Sequence, residues 1–205
     1  TGGGGLLLSW IERDGGKGHR LKMAEYQGGK WSAARNIAKG NDWFVNWADF
    51  PSTTALPDGT LWAHYLVKRS AGTYAYDVML KQSKDAGRSW SAPVSAHNDG
   101  TESEHGFVSL WPWSSSELAV AWLDGRNTAG AASHDHKQHD AKGGAGKGMT
   151  LRAAVFGKSG RKINEWQLDS LTCDCCQTDA ALTDKGPILI YRDRDANEIR
   201  DIYTT

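Results

Sequence analysis

Short runs of apolar residues, separated by turn residues, recur along the whole chain. Within several runs apolar and polar positions alternate, which is typical of a strand with one buried face, and no segment has helical spacing. The segments between the runs are rich in Gly, Asp and Ser, which favour tight turns. The pattern therefore predicts an all-β protein. The predicted strands are Leu6–Glu12, His19–Tyr26, Trp43–Trp47, Leu61–Lys68, Tyr74–Gln82, Gly106–Trp111, Leu118–Leu123, Met149–Phe156, Thr178–Leu182, Pro187–Arg192 and Glu198–Tyr203.

The strands are predicted to form repeated units within a single domain, 1–205. In a complete unit an inner strand is followed by a second strand, and a third strand then runs into a turn that bears a Trp. The first unit lacks its inner strand, and the last stops within its third strand. Without an insertion at 127–148, the repeat approaches the roughly 40–50 residues of a four-stranded propeller blade. The units are roughly 1–40, 41–101, 102–172 and 173–205.

The segment from Ser83 to Trp90, S-K-D-A-G-R-S-W, is predicted to be a hairpin turn that stabilises itself. Ser83 and Asp85 can accept hydrogen bonds from backbone N–H groups of the turn, and Gly87 can take the positive φ that a tight reversal needs. Trp90 can then pack its ring against a neighbouring sheet. Such a turn is structural, so the functional residues have to be sought elsewhere.

This turn resembles the Asp-box of sialidase-like (BNR-repeat) β-propellers, and other strings of the chain are similar to bacterial proteins of that family. The resemblance implies a β-propeller of four-stranded blades, with about three and a half of six blades in this chain. Remaining blades or a partner chain would then close the ring, because an open ring leaves sheet edges unpaired. A complete four-bladed ring is the alternative. The other strings are Glu104-His105-Gly106-Phe107, Ala121–Arg126, Met149–Arg152, Cys173–Thr178, Tyr191–Arg194 and Ile199–Ile202.

Composition narrows the classes of partner. The 24 basic and 24 acidic residues balance at a pI near 7, which argues against a nucleic-acid-binding face and against docking on acidic membranes. No run approaches the roughly 20 apolar residues of a membrane-spanning helix. Ten Trp and 24 Gly suit packed sheets joined by tight turns. The family resemblance adds the expectation of a periplasmic or extracellular protein.

Arginines and acids follow the second strand of successive units. Exo-sialidases clamp the substrate carboxylate with three arginines, whose planar guanidinium pairs with a carboxylate through two hydrogen bonds. They also use a Tyr nucleophile paired with a Glu, and an Asp acid/base. The resemblance makes Arg126, Arg192, Arg194 and Arg200 candidates for substrate binding, and Asp124, Asp193 and Tyr191 candidates for catalysis. Turns held by local salt bridges are the alternative interpretation.

Glu104 and His105 directly precede a predicted inner strand, where loops line the mouth of a propeller channel. A carboxylate beside an imidazole suits acid–base catalysis or metal ligation, so Glu104 is a catalytic candidate and His105 a substrate-binding one. A polar pair that caps the strand is the alternative. Asp49 flanks an inner strand of its own unit and could converge with them. Trp43 and Trp47 lie in a predicted strand with one core face, and the other face could stack on a sugar ring, although core packing is the usual role of a Trp.

The three cysteines lie together in Cys173-Asp174-Cys175-Cys176. Crowded thiolates repel one another, so the cluster gains from a soft metal ion, from a bond between neighbours or from protonation. The insertion supplies His134, His136 and His139, and Cys and His together are ligands of copper or zinc. The predicted metal ligands are therefore these three cysteines and three histidines. A solvated His-rich loop, inert core cysteines and a Cys175–Cys176 bond are the alternatives.

Taken together, these features favour a sialidase-like exo-glycosidase or glycan-binding propeller that acts on acidic sugars at the channel mouth. Whether the chain is an enzyme of the exo-α-sialidase type or a binding protein stays open. A non-hydrolytic propeller that binds copper or zinc, or a scaffold for protein interactions, is the second hypothesis.

Overall fold

A computed structural model describes residues 5–129 and 148–205, and these residues form four antiparallel sheets. The first sheet has β1 (Leu6–Arg13), β2 (His19–Gln27), β3 (Lys30–Trp31) and β4 (Arg35–Gly40), and the second has β5 (Thr53–Ala55), β6 (Leu61–Lys68), β7 (Tyr76–Ser83) and β8 (Val94–Ser95). The third has β9 (His105–Pro112), β10 (Leu118–Asp124), β11 (Met149–Phe156) and β12 (Lys162–Thr172), and the fourth has β13 (Asp179–Thr183), β14 (Gly186–Arg192) and β15 (Ile202–Thr204).

The second and third sheets share one topology. Their strands pair in sequence order, β5-β6-β7-β8 and β9-β10-β11-β12, through consecutive antiparallel neighbours. The only helical segment of the described residues is a 3-10 turn at Arg126–Thr128. The all-β prediction is confirmed for these residues, none of which forms a helix long and apolar enough to cross a membrane.

The strand predictions succeed best in the middle of the units. β6 and β11 have the predicted bounds, and β10 and β14 differ by one residue. The predicted inner strand Trp43–Trp47 is wrong, because the chain forms a loop there and the first strand of this sheet is β5. Asn46 Oδ1 accepts hydrogen bonds from the N–H groups of Ala48 and Asp49, so a side chain bends a segment whose aromatic residues alternate like those of a strand.

The sheets stack face to face, and an apolar cluster fills each of the three interfaces. The largest cluster joins the second and third sheets and includes Trp62, Tyr76, Trp122 and Phe156. The middle sheets are therefore packed against a neighbour on both faces, and exposed apolar side chains lie on the outer strand β12 and on the first and fourth sheets. Those on the first and fourth sheets include Leu6, Leu8, Leu182, Ile188, Ile190, Ile202 and Tyr203.

The turn between β7 and β8 is stabilised by its own side chains, as predicted. Ser83 Oγ accepts from the Gly87 N–H at 2.8 Å and donates to Asp85 Oδ1 at 2.8 Å. Asp85 also accepts from the N–H and hydroxyl of Ser89, and these hydrogen bonds hold the pKa of its carboxyl below the usual range. Gly87 takes a φ of 77°. Trp90 packs on the cluster between the first and second sheets.

This turn defines one end of the stack, which we call the turn end. In antiparallel pairing Ser83 faces Leu61 at the turn end, and Tyr76 faces Lys68 at the other. The opposite end, called the site end below, holds the start of β7, the start of β9 with His105, and the end of β10 with Asp124. The ends of β12 and β14 also meet there, through a bridge between Thr172 and Asp193.

Candidate functional site

A buried phenol between two carboxyl groups forms the centre of the site end. The hydroxyl of Tyr76 donates to Glu104 Oε1 at 2.7 Å and lies 3.4 Å from Asp49 Oδ2. Tyr76 is fully buried and Asp49 is 3% exposed, whereas Glu104 is only partly buried. These three residues, named the Asp49–Tyr76–Glu104 group, come from the loop before β5, from β7 and from the residue before β9. Glu104 is the member that solvent or a ligand can reach.

The backbone beside this group has an unusual conformation. A Cβ on Gly106 would lie 1.9 Å from Asp49 Oδ2, so only glycine lets the carboxyl approach this closely. The next residue, Phe107, has a φ of 55°, and its N–H donates to the Asp49 carboxyl. The β9–β10 register shifts here, so the strand bulges opposite Trp122. Strained backbone of this kind is frequent at functional sites.

Burial changes the acidity of the group. It raises the pKa of Asp49 from 3.8 to about 7 and that of Glu104 from 4.5 to about 7, and the charge of Asp174 contributes to the second shift. Burial and the two adjacent carboxyls also raise the pKa of Tyr76, so its phenol stays protonated. Asp49 Oδ1 has no hydrogen-bond partner among the described residues. Carboxyls that titrate near neutral pH can both give and accept protons in catalysis.

The loop that supplies Asp49 also presents aromatic rings to solvent. The Trp47 side chain is 93% exposed and that of Phe50 is 52% exposed. Trp43, by contrast, is buried in the cluster between the first and second sheets. An indole ring this exposed is available for stacking on a sugar ring, whereas Trp43 is a core residue.

A second set of titratable groups is buried between the second and third sheets. The rings of His97 and His105 stack with centroids 3.6 Å apart, and both side chains are fully buried. Asp99 lies 2.7 Å from His97 Nδ1 and 3.2 Å from His105 Nε2. Asp77 lies 3.6 Å from His97 Nε2, and Asp124 lies 3.8 Å from the same His105 Nε2 that Asp99 contacts. His105, a predicted substrate-binding residue, is thus enclosed by protein groups.

Asp124 and Arg126, predicted as catalytic and substrate-binding, bind each other. Arg126 Nε and Nη2 donate to the two carboxyl oxygens of Asp124, both at 2.7 Å, and Trp122 Nε1 also donates to Asp124 at 2.7 Å. Arg126 Nη2 further contacts Glu165 at 3.1 Å, and Arg152 Nε donates to the same oxygen at 2.8 Å. Lys162 completes the pairing of Glu165. This network, which includes the two histidines, is called the inter-sheet ion network.

The charged groups of the inter-sheet ion network shift one another's pKa values. Burial raises the pKa of Asp124, but the hydrogen bonds from Arg126 and Trp122 and the charge of His105 together outweigh it, so the net pKa is lowered. Burial works against a charge on His105, yet Asp99 and Asp124 outweigh it and raise its pKa. Burial and the charge of His105 lower the pKa of His97. The favoured state has charged His105, neutral His97 and ionised acids, which is the pattern of a paired structural network.

Ligand atoms in this region also lie close enough together to hold a metal ion. Two groups, Asp77 with His97 and His105, and Asp99 with His105 and Asp124, each place three such atoms within 4.8 Å. The carboxylates already pair with arginines, since Arg69 contacts Asp77 and Arg126 contacts Asp124.

The candidates on the fourth sheet divide into paired and available groups. Tyr191 donates its hydroxyl to Asp169 at 2.7 Å, and Asp193 lies beside the same carboxylate, where burial raises its pKa. Arg194 pairs with Asp174 and Glu198, and Arg200 pairs with Glu198 as well. Arg192 is exposed, and among the described residues its side chain donates only to Cys176 Sγ, at 3.7 Å. It therefore retains donors for a ligand.

The three cysteines converge in the loop between β12 and β13. Their sulfurs all lie within 4.8 Å of one another, and Cys173 Sγ lies 3.1 Å from Cys176 Sγ. All three are free thiols, with Cys173 buried and Cys175 exposed. Although Cys175 is exposed, partial desolvation of its sulfur raises the pKa to about 12, and desolvation also raises the pKa of Cys176. His134, His136 and His139 lie outside the described residues.

The site end therefore brings together Glu104, Arg192, Arg194 and the cysteines, and it encloses Asp124, Arg126 and His105 in ion pairs. Sequence reasoning missed Tyr76, His97 and Asp99, since a Tyr at the start of a strand and two polar residues in a long loop carry no signal of their own. A cavity of about 480 Å³ between the first and second sheets is lined by Arg20, Lys39, Tyr65 and Lys81 among others, and by none of the predicted site residues.

Comparison with solved structures identifies the fold class. The model matches a protein of unknown function from Dyadobacter fermentans over 98% of this chain and 49% of that one, with a TM-score of 0.63 and 14% identity. It matches a leech intramolecular trans-sialidase over 100% and 29% of the two chains, with a TM-score of 0.54 and 14% identity. An α-L-arabinanase from Penicillium chrysogenum matches over 98% and 58%, with a TM-score of 0.53 and 14% identity.

These matches show a sialidase-like, all-β fold and leave the activity open, because the identity is low. The chain spans between about a third and three fifths of the length of these three structures. No protein-family model matches the chain, and a search of curated proteins finds no match.

Proposed function

We propose that the four sheets are successive blades of a β-propeller and that the site end binds and hydrolyses a glycan, with Glu104 as the acid/base. The observation that carries this proposal is the Asp49–Tyr76–Glu104 group, in which a protonated phenol bridges two carboxyls whose pKa values burial raises to about 7. A carboxyl that is protonated in about half of the molecules at neutral pH can protonate a glycosidic oxygen.

Each member of the group has a role that follows from its burial. Glu104 is the only partly buried member and would meet the scissile bond. Tyr76 cannot reach a substrate, because its side chain is fully buried, so it positions Glu104 and modulates its acidity through the 2.7 Å hydrogen bond. Asp49 also contacts the Tyr76 hydroxyl, through Oδ2, and its carboxyl accepts a hydrogen bond from the Phe107 N–H.

Groups near Glu104 suit an acidic sugar. The Cys173–Cys176 loop connects the two halves of the site, since Asp174 acts on the pKa of Glu104 while Cys176 contacts Arg192. The exposed guanidinium of Arg192 can pair with a sugar carboxylate through two hydrogen bonds. The exposed Trp47 adds an aromatic surface. Two neighbours in the fold comparison, a trans-sialidase and an arabinanase, support a glycan as the ligand. The periplasmic or extracellular location stays a prediction.

Hydrolysis tests the proposal directly. The full-length protein is assayed against aryl α-sialosides and aryl α-L-arabinofuranosides, as wild type, as Glu104→Gln and as Glu102→Gln. Glu102 is an exposed acid two residues away and serves as the matched control. Loss of the acid should lower kcat by about 100-fold or more in Glu104→Gln and leave Glu102→Gln unchanged.

Tyr76→Phe separates positioning from folding. Its hydroxyl lowers the pKa of Glu104, so its removal should move the alkaline limb of the pH–rate profile to higher pH, a change that mere destabilisation would not cause. Hydrolysis that is indifferent to Glu104→Gln would contradict the proposed role. Glycan binding without turnover, weakened by Trp47→Ala, would instead identify a binding protein.

A further inference from the structure

The three sulfurs of the loop between β12 and β13 are already arranged around a common centre. All three Sγ atoms lie within 4.8 Å of one another. Metal–thiolate bonds are about 2.3 Å long, so two sulfurs on one ion cannot be more than about 4.6 Å apart. Small rotations about the side-chain bonds therefore bring all three sulfurs onto a single ion. An ion can reach the cluster from solvent, because Cys175 is exposed while Cys173 forms the buried floor.

The backbone of this loop is fixed on both sides. The N–H of Cys173 donates to the carbonyl of Arg192 at 3.0 Å, next to the bridge between Thr172 and Asp193. On the far side, Thr178 Oγ1 donates to the carbonyl of Phe107 at 2.7 Å. Because the loop is held at both ends, the sulfurs are pre-organised, and little ordering would be needed on binding.

The surroundings suit a cluster of thiolates. Arg192 donates to Cys176 Sγ, and its positive charge offsets the negative charge of thiolate ligands. Asp174 pairs with Arg194, at 3.1 Å. No His, Asp or Glu of the described residues places a ligand atom within 4.8 Å of all three sulfurs. A set of three soft donors, with no fourth ligand among the described residues, favours a soft monovalent ion over the tetrahedral coordination usual for structural zinc.

We propose that Cys173, Cys175 and Cys176 bind one Cu(I) ion through three thiolates. Binding replaces three S–H bonds by three S–Cu bonds, releases the protons to solvent and leaves copper as Cu(I), so no oxidant or reductant is consumed. The bound ion ties the start of the fourth sheet to the end of the third. This site is independent of the proposed hydrolysis, and either can fail without the other.

Anaerobic titration of the reduced full-length protein with Cu(I), against a chromophoric Cu(I) chelator, tests the site. The expected result is one Cu(I) per chain, a thiolate-to-copper absorption band in the ultraviolet, and a higher Tm for the loaded protein. Cys175→Ser and Cys176→Ser should each weaken binding by about 100-fold or more. A variant with His134, His136 and His139 all changed to Ala tests whether the predicted histidine ligands take part, and unchanged binding would assign the ion to the three thiolates alone.

Three results would overturn the proposal. Binding that is lost in the triple-histidine variant and kept in the cysteine variants would place copper elsewhere. A preference for Zn(II) over Cu(I), each measured against its own chelator, would contradict the three-coordinate assignment. A protein purified with one free thiol and a mass lower by two hydrogens, which rejects Cu(I) after reduction, would identify a disulfide within the three cysteines instead. Each variant is checked for native fluorescence so that unfolding is not counted as loss of a ligand.

Discussion

Replacing Asp49 with Asn should stabilise the protein more at pH 8 than at pH 5. Burial raises the pKa of this carboxyl from 3.8 to about 7, so between these values the folded state holds a proton that the unfolded state has released. Stability therefore falls as pH rises through this window, and the full cost of the buried charge is present above pH 7. Asn carries no charge at either pH, so the variant does not undergo this loss of stability.

The size of the effect follows from the two pKa values. Applied to a carboxyl with a pKa of 3.8 in the unfolded state and about 7 in the folded state, proton linkage gives a stability loss about 2–3 kcal/mol larger at pH 8 than at pH 5. The Asn amide nitrogen would occupy the place of an oxygen, Oδ1 or Oδ2, and an unsatisfied buried amide costs about 1–3 kcal/mol. That cost is the same at both pH values and cancels in the comparison.

Urea denaturation followed by Trp fluorescence at pH 5 and pH 8 measures the difference between the variant and the wild type. Asp58→Asn is the matched control, because Asp58 sits in an exposed turn where the Thr60 N–H lowers its pKa, so its charge does not change between pH 5 and pH 8. A difference for Asp49→Asn that is equal at the two pH values would refute the raised pKa. In the hydrolysis assay the same variant should lose activity, so gain of stability and loss of function would coincide.

Three further variants test other parts of the structure. Arg126→Ala leaves Asp124 buried without its main partner and should lower the free energy of unfolding by about 3–5 kcal/mol, measured by urea denaturation; a loss below about 1 kcal/mol would mean that the pair is not structural. Ala86→Gly relieves a φ of 57° in an exposed turn and should raise the urea midpoint by an amount equivalent to about 0.5–1 kcal/mol, and an unchanged or lower midpoint would contradict this. His105→Gln should lower the free energy of unfolding more at pH 5.5 than at pH 8.5. The raised pKa of His105 stabilises the folded protein below about pH 6.5, and this contribution is lost as the pH rises. Equal losses at the two pH values would argue against a charged His105.

Sequence patterns predicted the parts of the fold that repeat. The strands β6 and β11 have apolar runs and flanking turns that fix their bounds, and the turn from Ser83 to Trp90 contains all the groups that stabilise it. The loop around Asn46 could not be predicted, because one side-chain hydrogen-bond acceptor overrides an alternating aromatic pattern. The short outer strands β4 and β8 also lacked a signal, since few of their residues are buried.

The candidate site was predicted less well, because its chemistry arises from contacts between distant segments. Glu104 was identified from its place before an inner strand, yet burial raises its pKa, and the hydroxyl that it binds, that of Tyr76, is contributed by another sheet. The motif that includes Asp124 and Arg126 suggested a ligand clamp, and only the structure shows that these two residues bind each other. Spacing along the chain predicts strands, whereas burial, which determines pKa and access, depends on the packing of sheets.

The separation of the turn end from the site end has a practical consequence. The strand β7 has eight residues, so the Ser83–Trp90 turn at its end lies about 20 Å or more from Tyr76 at its start. A fluorophore, an affinity handle or a surface linker attached at Arg88, which is exposed in this turn, would leave the opposite end free in solution. The molecule can thus be immobilised in one known orientation, with the site end and its cysteines directed away from the support.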